Sequence, residues 1–509
     1  MFSSVYGADV SGMKARVIRV EADVTEGLPV FEMVGHLGSA AKEARDRVRI
    51  ALRNMEVRLP AKRITVNLSP ANLRKEGTTF DLPIAISLLQ IFGYLPSQFT
   101  ENYMLIGELG LDGAVRQVKG VLAMVLEGRK QGITRFFVPE GNAKEGAFLS
   151  DVSVYGVSSL SETVRLLRGE EQKKPVKLSY DTFVKRQGGQ LDFSDIKGQS
   201  TSKRAAEIAV SGRHNLLLIG PPGSGKTMLA RRMPSIMPSL DLEESLELTK
   251  LYSVCGMLTE EKPILTERPF RAPHHTITPT ALTGGGRTPT PGEISLASGG
   301  ILFLDELPEF ARATLEVMRQ PLEERKVSVT RLGHACDYPA DCSFVAAMNP
   351  CRCGFYPDRN KCRCTQGDIR RYLTKISEPL LDRLDLCVET GMPEFCLYEK
   401  GNESSQEIRK RVEKTIQIQK KRYRNEKFSY NSELTNRTIE KYCSLGRKEK
   451  EYLESCFLNE EYSMRRISRI IKVARTIADM EECADIREEH ITEAVRFRSI
   501  DKRYWGSMF

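Results

Sequence analysis

Along the first 168 residues the apolar positions repeat with two different periods. "KARVIRVEADV" (14–24), "RITVNLSP" (63–70) and "FFVP" (136–139) are short β-branched or aromatic runs of the kind that form strands, whereas "AAKEARDRVRIALRNM" (40–55) spaces its apolar residues as a helix does. The mixture predicts an α/β domain over residues 1–168. The polar stretch "GEEQKKPVKLSYDTFVKRQGGQ" (169–190) holds neither period and reads as a linker. Beyond it, "NLLLIG" (215–220), "GILFLDE" (300–306) and "CSFVAAMN" (342–349) are almost continuously apolar before they break into Gly-rich or helical sequence. Strands of that kind are buried on both faces, which predicts a second α/β unit over 191–388 around a parallel sheet. From 389 to 509 the helical period dominates, in "SSQEIRKRVEKTIQIQKKRYRNEK" and "MRRISRIIKVARTIADMEEC", so a helical domain is expected to close an α/β multidomain chain.

Composition narrows the class. A chain of 509 residues has room for roughly three domains of ordinary size. With 40% apolar and 28% charged residues it is neither disordered nor fibrous. No apolar run approaches the ~18 residues that span a bilayer, and "MFSSVYGADVSGMKARVIRV" lacks the basic start and apolar middle of a signal peptide. No membrane partner and a cytoplasmic location are therefore expected, where the twelve cysteines stay reduced. The net charge of +9 mildly favours a polyanionic partner, although 76 basic and 67 acidic residues largely cancel.

The strongest chemical signal is "LLLIGPPGSGKTML". An apolar run leads into Gly220, Pro221, Pro222, Gly223, Ser224, Gly225, Lys226 and Thr227, the G-x-x-x-x-G-K-[ST] pattern between strand and helix. Such a loop turns its backbone N–H groups onto phosphates. Lys226 is expected to reach the β and γ phosphates of ATP, and Thr227 to ligate magnesium. A second strand ends in Asp305 and Glu306, suited respectively to hold the magnesium and to polarise the attacking water; the bland alternative is a pair of acids opening a helix. A third ends in Asn349, placed to orient that water, although Asn before Pro is also a common turn residue.

Several further stretches carry a resemblance: "DFSDIKGQ", "HNLLLIGPPGSGKTMLARRMPSIMP", "FRAPHHT", "PGEISLASGGILFLDELPEF", "AAMNPCRCG", "KISEPLLDRLDL" and "RIIKVARTIADM". In this order they resemble AAA+ ATPases of the magnesium-chelatase-like group, and within it the YifB/ComM family. The resemblance implies a P-loop AAA+ core, a C-terminal helical lid, and ATP and magnesium as cofactors. It makes Asn349 sensor 1, Arg383 an arginine finger offered to a neighbouring subunit, and Arg465 (beside Arg466) the sensor 2 of the lid. Hydrolysis then requires a homo-oligomeric ring, expected to be a hexamer. The resemblance also implies a hairpin before sensor 1, about residues 326–341, of the kind that lines the pore of DNA motors. Arg271, Arg287 and Arg331 are candidate phosphate contacts. The adjacent His274 and His275, if on a strand, would face opposite sides, which argues against a metal pair.

Residues 1–168 resemble the Lon-protease domain, a ribosomal S5 domain 2-like fold, through "IGELGLDGAVRQVKGVLAMVLEGRKQGITRFFVP". That protease needs a serine nucleophile and a lysine base. Thr79 falls near the nucleophile position of "RKEGTTFDLPIA", and Leu122 and Met124 occupy the positions that should carry the lysine. Lys119 and Lys130 lie off the pattern, so no peptidase activity is expected. Three functions compete. The ComM-like one is ATP-driven DNA translocation, helicase action and branch migration on single-stranded or branched DNA, independent of sequence, in recombination or natural transformation. The others are protein remodelling and, against the absence of a recognisable porphyrin-binding module, magnesium chelation.

Finally, "NPCRCGFYPDRNKCRC" places Cys351, Cys353, Cys362 and Cys364 in a Cys-rich insertion, 351–364. Two C-x-C pairs around a reversing loop suit one tetrahedral zinc. Separate reduced thiols and a redox switch are the alternatives, and Cys336 or Cys342 could substitute as ligands.

Overall fold

The computed structural model describes residues 2–96, 102–184, 191–286, 289–331, 334–391, 402–460 and 462–506. Its contacts divide it into two compact units. Arg287 lies outside the described residues, as do residues 185–190 of the linker and the side chain of Arg331.

The first unit comprises Met1–Gln187 together with Asp241–Thr266. Seven strands form one mixed sheet in the order Val30–Val34, Arg63–Ser69, Lys14–Thr25, Phe2–Ser11, Tyr103–Leu105, Arg135–Pro139 and Ser153–Val157. The first two strands of the chain pair antiparallel, and those from Phe2–Ser11 to Ser153–Val157 pair in parallel. Alternation along the strands separates the faces. Val5, Ile18, Val20 and Ala22 meet helices Ser39–Asn54, Asp81–Ile91 and Leu160–Arg168 on one side. Ala8, with Tyr6, Val10, Ala15 and Val17, meets helix Val121–Lys130 on the other.

The sequence pattern kept 241–266 within the second α/β core, yet helix Leu242–Cys255 packs in the first unit. Leu246 joins the core under Val121–Lys130, the Gly120 N–H donates to Ser253 O (2.9 Å), and Ser253 Oγ donates to the buried Glu145 (2.6 Å). Burial pushes the Glu145 carboxyl upward, and hydrogen bonds from Ser253, Asn142 and Leu122 oppose that shift.

The second unit comprises Gly188–Leu240 and Glu267–Phe509. Its sheet is wholly parallel, in the order Phe270–Arg271, Ile301–Leu304, Ser343–Met348, Leu216–Ile219 and Leu386–Glu389. The three central strands are buried at every position, as their unbroken apolar sequence requires. The C-terminal region is helical, with Ser405–Arg422, Asn436–Tyr442, Arg447–Glu460, Met464–Met480 and Glu488–Trp505. Ile408, Val412, Ile470 and Ile477 from these helices join the same core as Leu216 and Val345 from the sheet.

Candidate nucleotide site

Sheet register sets the geometry. Ser343–Met348 lies between the other two motif strands, with Ile219 opposite Met348 and Leu304 opposite Ala346. The P-loop, Asp305 and Asn349 therefore leave the same edge of the sheet, at the carboxyl ends where ligands of parallel α/β sheets bind.

The loop itself is shaped by glycines. Gly223 and Gly225 adopt φ of 78° and 80°, a region other side chains avoid, and Gly225 caps helix Lys226–Ile236. Lys226 is only 8% exposed, and its ammonium donates to Gly220 O and Pro221 O (both 2.8 Å) and to Asn349 Oδ1 (3.2 Å). Burial lowers its pKa, opposed by the negative charge of Asp305. Thr227 Oγ1 donates to Asp305 Oδ2 at 2.7 Å, which brings the two proposed magnesium ligands together across 78 residues. Glu306 is exposed and holds a left-handed backbone (φ 52°), while its N–H donates to Asp305 Oδ1 (2.9 Å). Gly220 to Thr227, Asp305, Glu306 and Asn349 thus form one constellation. Its donors and carboxylates fit a nucleoside triphosphate and a hard divalent cation such as magnesium.

Two arginines behave differently. Arg383 is 7% exposed and held within its own chain: Nε donates to Arg319 O (3.0 Å) and the guanidinium pairs with Glu323 at 2.6 Å. Arg465 is exposed in the first turn of Met464–Met480, and no hydrogen bond or ion pair among the described residues joins it to the P-loop. Its neighbour Arg466 lies over the Tyr462 ring at 4.8 Å.

Sequence reasoning missed three participants. Gln199 has a left-handed backbone (φ 55°), its Nε2 donates to Ser224 O (2.8 Å), and its Oε1 is buried with no partner among the described residues. It ends "DFSDIKGQ", so a signal was present. Thr390 is fully buried and shares a hydrogen bond of 2.9 Å with Ser224 Oγ. Burial pushes the Tyr372 hydroxyl pKa up, and the nearby carboxylates of Glu309 and Glu306 add to it. For the last two only tertiary packing supplies the contact.

Cys351, Cys353, Cys362 and Cys364 lie with their sulfurs within 4.8 Å of one another. The separations among the first three are 3.3, 3.7 and 3.6 Å. A tetrahedral Zn–S₄ centre with bonds of ~2.3 Å has edges of about 3.8 Å, so the cluster is compatible with one zinc. Cys336 and Cys342 stand outside it, and burial pushes the Cys342 thiol up to about 12. The Cys turn also touches the P-loop. Gly354 has φ 85°, and a Cβ there would fall 2.3 Å from Pro222 Cδ.

His274 and His275 do not stand on a strand, contrary to the expectation from sequence. The strand Phe270–Arg271 ends before His274 and His275, so strand alternation does not govern them, and their rings lie 4.0 Å apart at 35°. The hairpin before Asn349 is present as Lys326–Arg331 paired antiparallel with His334–Pro339. Arg271 is bound to Glu293 by two hydrogen bonds of 2.6 and 2.7 Å. In the first unit, Thr79 is buried and donates to Ala8 O (2.7 Å), while Leu122 and Met124 are core residues.

Residues 192–395 match the family model described as magnesium chelatase, subunit ChlI; residues 20–142 match subunit ChlI of Mg-chelatase, and 402–498 its C-terminal part. Fold, site and these matches define a magnesium-chelatase-like AAA+ ATPase. The protein YifB of Salmonella typhimurium is 42% identical over 495 residues, 96% of both chains. Competence protein ComM of Haemophilus influenzae is 40% identical over 504 residues, 97% of both. The chain belongs to the YifB/ComM family of magnesium-chelatase-like proteins. A shorter stretch of 149 residues, 28% of this chain and 18% of the other, is 26% identical to Lon protease homolog 2 of Caenorhabditis elegans. No helix among the described residues is long and apolar enough to cross a membrane.

Proposed function

We propose that the protein forms a homo-oligomeric ring, a hexamer, that couples ATP hydrolysis to movement along DNA, with helicase and branch-migration activity in recombination or transformation. The observation that carries the motor reading is the single constellation of Lys226, Thr227, Asp305 and Asn349 at one sheet edge. Lys226 and the P-loop N–H groups bind the triphosphate. Thr227 and Asp305 would hold magnesium, which neutralises phosphate charge. Glu306 takes the proton of the attacking water, and Asn349 orients that water. Arg383 serves a neighbouring subunit only after exchanging Glu323 for phosphate, so hydrolysis depends on assembly. Arg465 contributes from the lid. Zinc in the four-cysteine cluster has a structural role.

The DNA substrate is supported by the similarity to a competence protein, by the net charge of +9 and by the hairpin ahead of Asn349. Protein remodelling is the second reading, supported by the partial likeness to a Lon protease. The first unit is read as a Lon-like platform without peptidase activity, because the Thr79 hydroxyl is committed to Ala8 and apolar core fills the expected lysine positions.

Branch migration of a three-strand intermediate tests the proposal, with ATPase rates measured beside it on single-stranded DNA, forked DNA and unfolded protein. Wild type is expected to migrate the branch, and DNA to stimulate hydrolysis. Glu306→Gln is expected to bind ATP but lose at least ~100-fold in turnover and all migration. Stimulation by unfolded protein alone would overturn the DNA reading in favour of remodelling.

A further inference from the structure

After helix Glu378–Leu381 the chain passes through Asp382, Arg383, Leu384 and Asp385 into strand Leu386–Glu389, at one edge of the second unit's sheet. A helix end leaves carbonyl groups without intrahelical donors, and these must find partners elsewhere. Here the partners come from the C-terminal helices. Arg498, on Glu488–Trp505 and only 1% exposed, donates Nη2 to Leu381 O (3.2 Å) and Nη1 to Leu384 O. Arg469, on Met464–Met480, donates Nη1 both to Arg383 O (3.2 Å) and to Asp385 Oδ1 (2.5 Å). The backbone on either side of the Arg383 side chain is thus gripped by two arginines of the lid.

Asp385 anchors the grip. Burial pushes its carboxyl upward, yet the charge of Arg469 holds it well below the usual carboxylate range. Its Oδ2 accepts from Asn215 N–H (2.9 Å). Asn215 Nδ2 also donates to Arg383 O (2.9 Å), and its Oδ1 accepts from Phe344 N–H (3.1 Å) in the central strand Ser343–Met348. Arg383 O therefore sits between one donor from the sheet and one from the lid. These bonds hold the backbone and are separate from the ion pair with Glu323, which holds the side chain. A guanidinium offered across a subunit boundary has to be aimed, because misplacement of a reacting group by ~1 Å costs as much as ~100-fold in rate. Charge-assisted bonds from two helices fix the point from which the side chain extends.

We propose that Arg469 and Arg498 are positioning residues for Arg383, so that the C-terminal helices of each subunit set where its finger stands in the active site of the next. This rests on the reading of Arg383 as a finger in trans and adds what aims it. Arg465 stands one turn before Arg469 on the same helix, so a phosphate drawn to Arg465 and the grip on Arg383 bear on one rigid element.

The test uses full chains with two different tags, co-expressed and purified through both, so that every ring is mixed. One chain carries Lys226→Ala, which disables its phosphate loop but leaves its finger; the other carries Arg383→Ala, which keeps the loop but offers no finger. Each alone is expected to be inactive. Together they are expected to hydrolyse ATP, because the finger of the first enters the site of the second. Arg469→Met is then added to one chain or the other. On the Lys226→Ala chain it is expected to lower hydrolysis by about tenfold. On the Arg383→Ala chain, hydrolysis is expected to stay within about twofold of the parent pair, with ATP affinity unchanged in titration with a fluorescent analogue. The reverse pattern would assign Arg469 to its own subunit's nucleotide and overturn the proposal. An equal loss from both placements, the mark of a folding defect, or no loss from either, overturns it as well and leaves the finger in trans standing. Arg469→Met leaves buried Asp385 without its cation. If that chain does not melt cooperatively, Arg498→Met, which keeps the Arg469–Asp385 pair, takes its place under the same criteria. Failure of the parent pair to hydrolyse ATP overturns the finger in trans and the proposal with it.

Discussion

Gly354 and Pro222 are 132 positions apart in the chain, yet the cysteine turn rests on the P-loop through this pair. Gly354→Ala places a Cβ in an unfavourable left-handed backbone and against Pro222, a double cost of roughly 1–3 kcal/mol. The expected outcome is weaker ATP binding, about tenfold by titration with a fluorescent analogue, in a protein that still melts cooperatively. An unchanged ATP affinity would show that the contact does not shape the loop. Lys226, Thr227, Asp305 and Glu306 were readable because their motif fixes both residue type and spacing. Thr390 was not, because nothing in "CVETGMP" indicates that its hydroxyl meets Ser224. Arg383 was readable as a motif residue, but only packing revealed Glu323 as its partner.

At the scale of elements, the four cysteines behave as one unit. Their sulfurs already stand at spacings suited to a tetrahedral ion, so metal analysis is expected to find one zinc per chain, and none in Cys362→Ser/Cys364→Ser. If zinc fixes the turn, removing it with a chelator reproduces the ATP-binding loss of Gly354→Ala; zinc loss with full ATP affinity would sink the coupling. Strands and helices were legible where their period was clean, as for Lys14–Thr25 and Ser39–Asn54. Phe2–Ser11 was not read from sequence because "FSSVYGADVS" is rich in small and polar residues. It becomes a central strand through pairing on both sides, with Lys14–Thr25 and Tyr103–Leu105. The two histidines show the converse error, a strand rule applied where no strand runs.

At the scale of the molecule, the chain enters the first unit twice. A fragment of residues 1–187 lacks helix Leu242–Cys255, which removes the Ser253 donor to buried Glu145 and uncovers apolar surface beside Leu246. It is expected to aggregate or melt at least about 5 °C lower than a fusion that restores 241–266 through a Gly/Ser linker, as read by light scattering and circular dichroism. An equally soluble and stable short fragment would show that the excursion is dispensable. The sequence by itself determined the α/β class, the parallel character of the second sheet, the phosphate loop with its acidic partners, and the clustering of the thiols. Each of these is written in local period, residue type or short spacing, which survive without knowledge of the fold. Only the tertiary structure decided that Asp241–Thr266 belongs with the first unit, that Arg383 is latched to Glu323, and that the cysteine turn leans on the P-loop. Those facts depend on which distant segments pack together, and packing is a property of the whole chain's burial and charge balance rather than of any window within it.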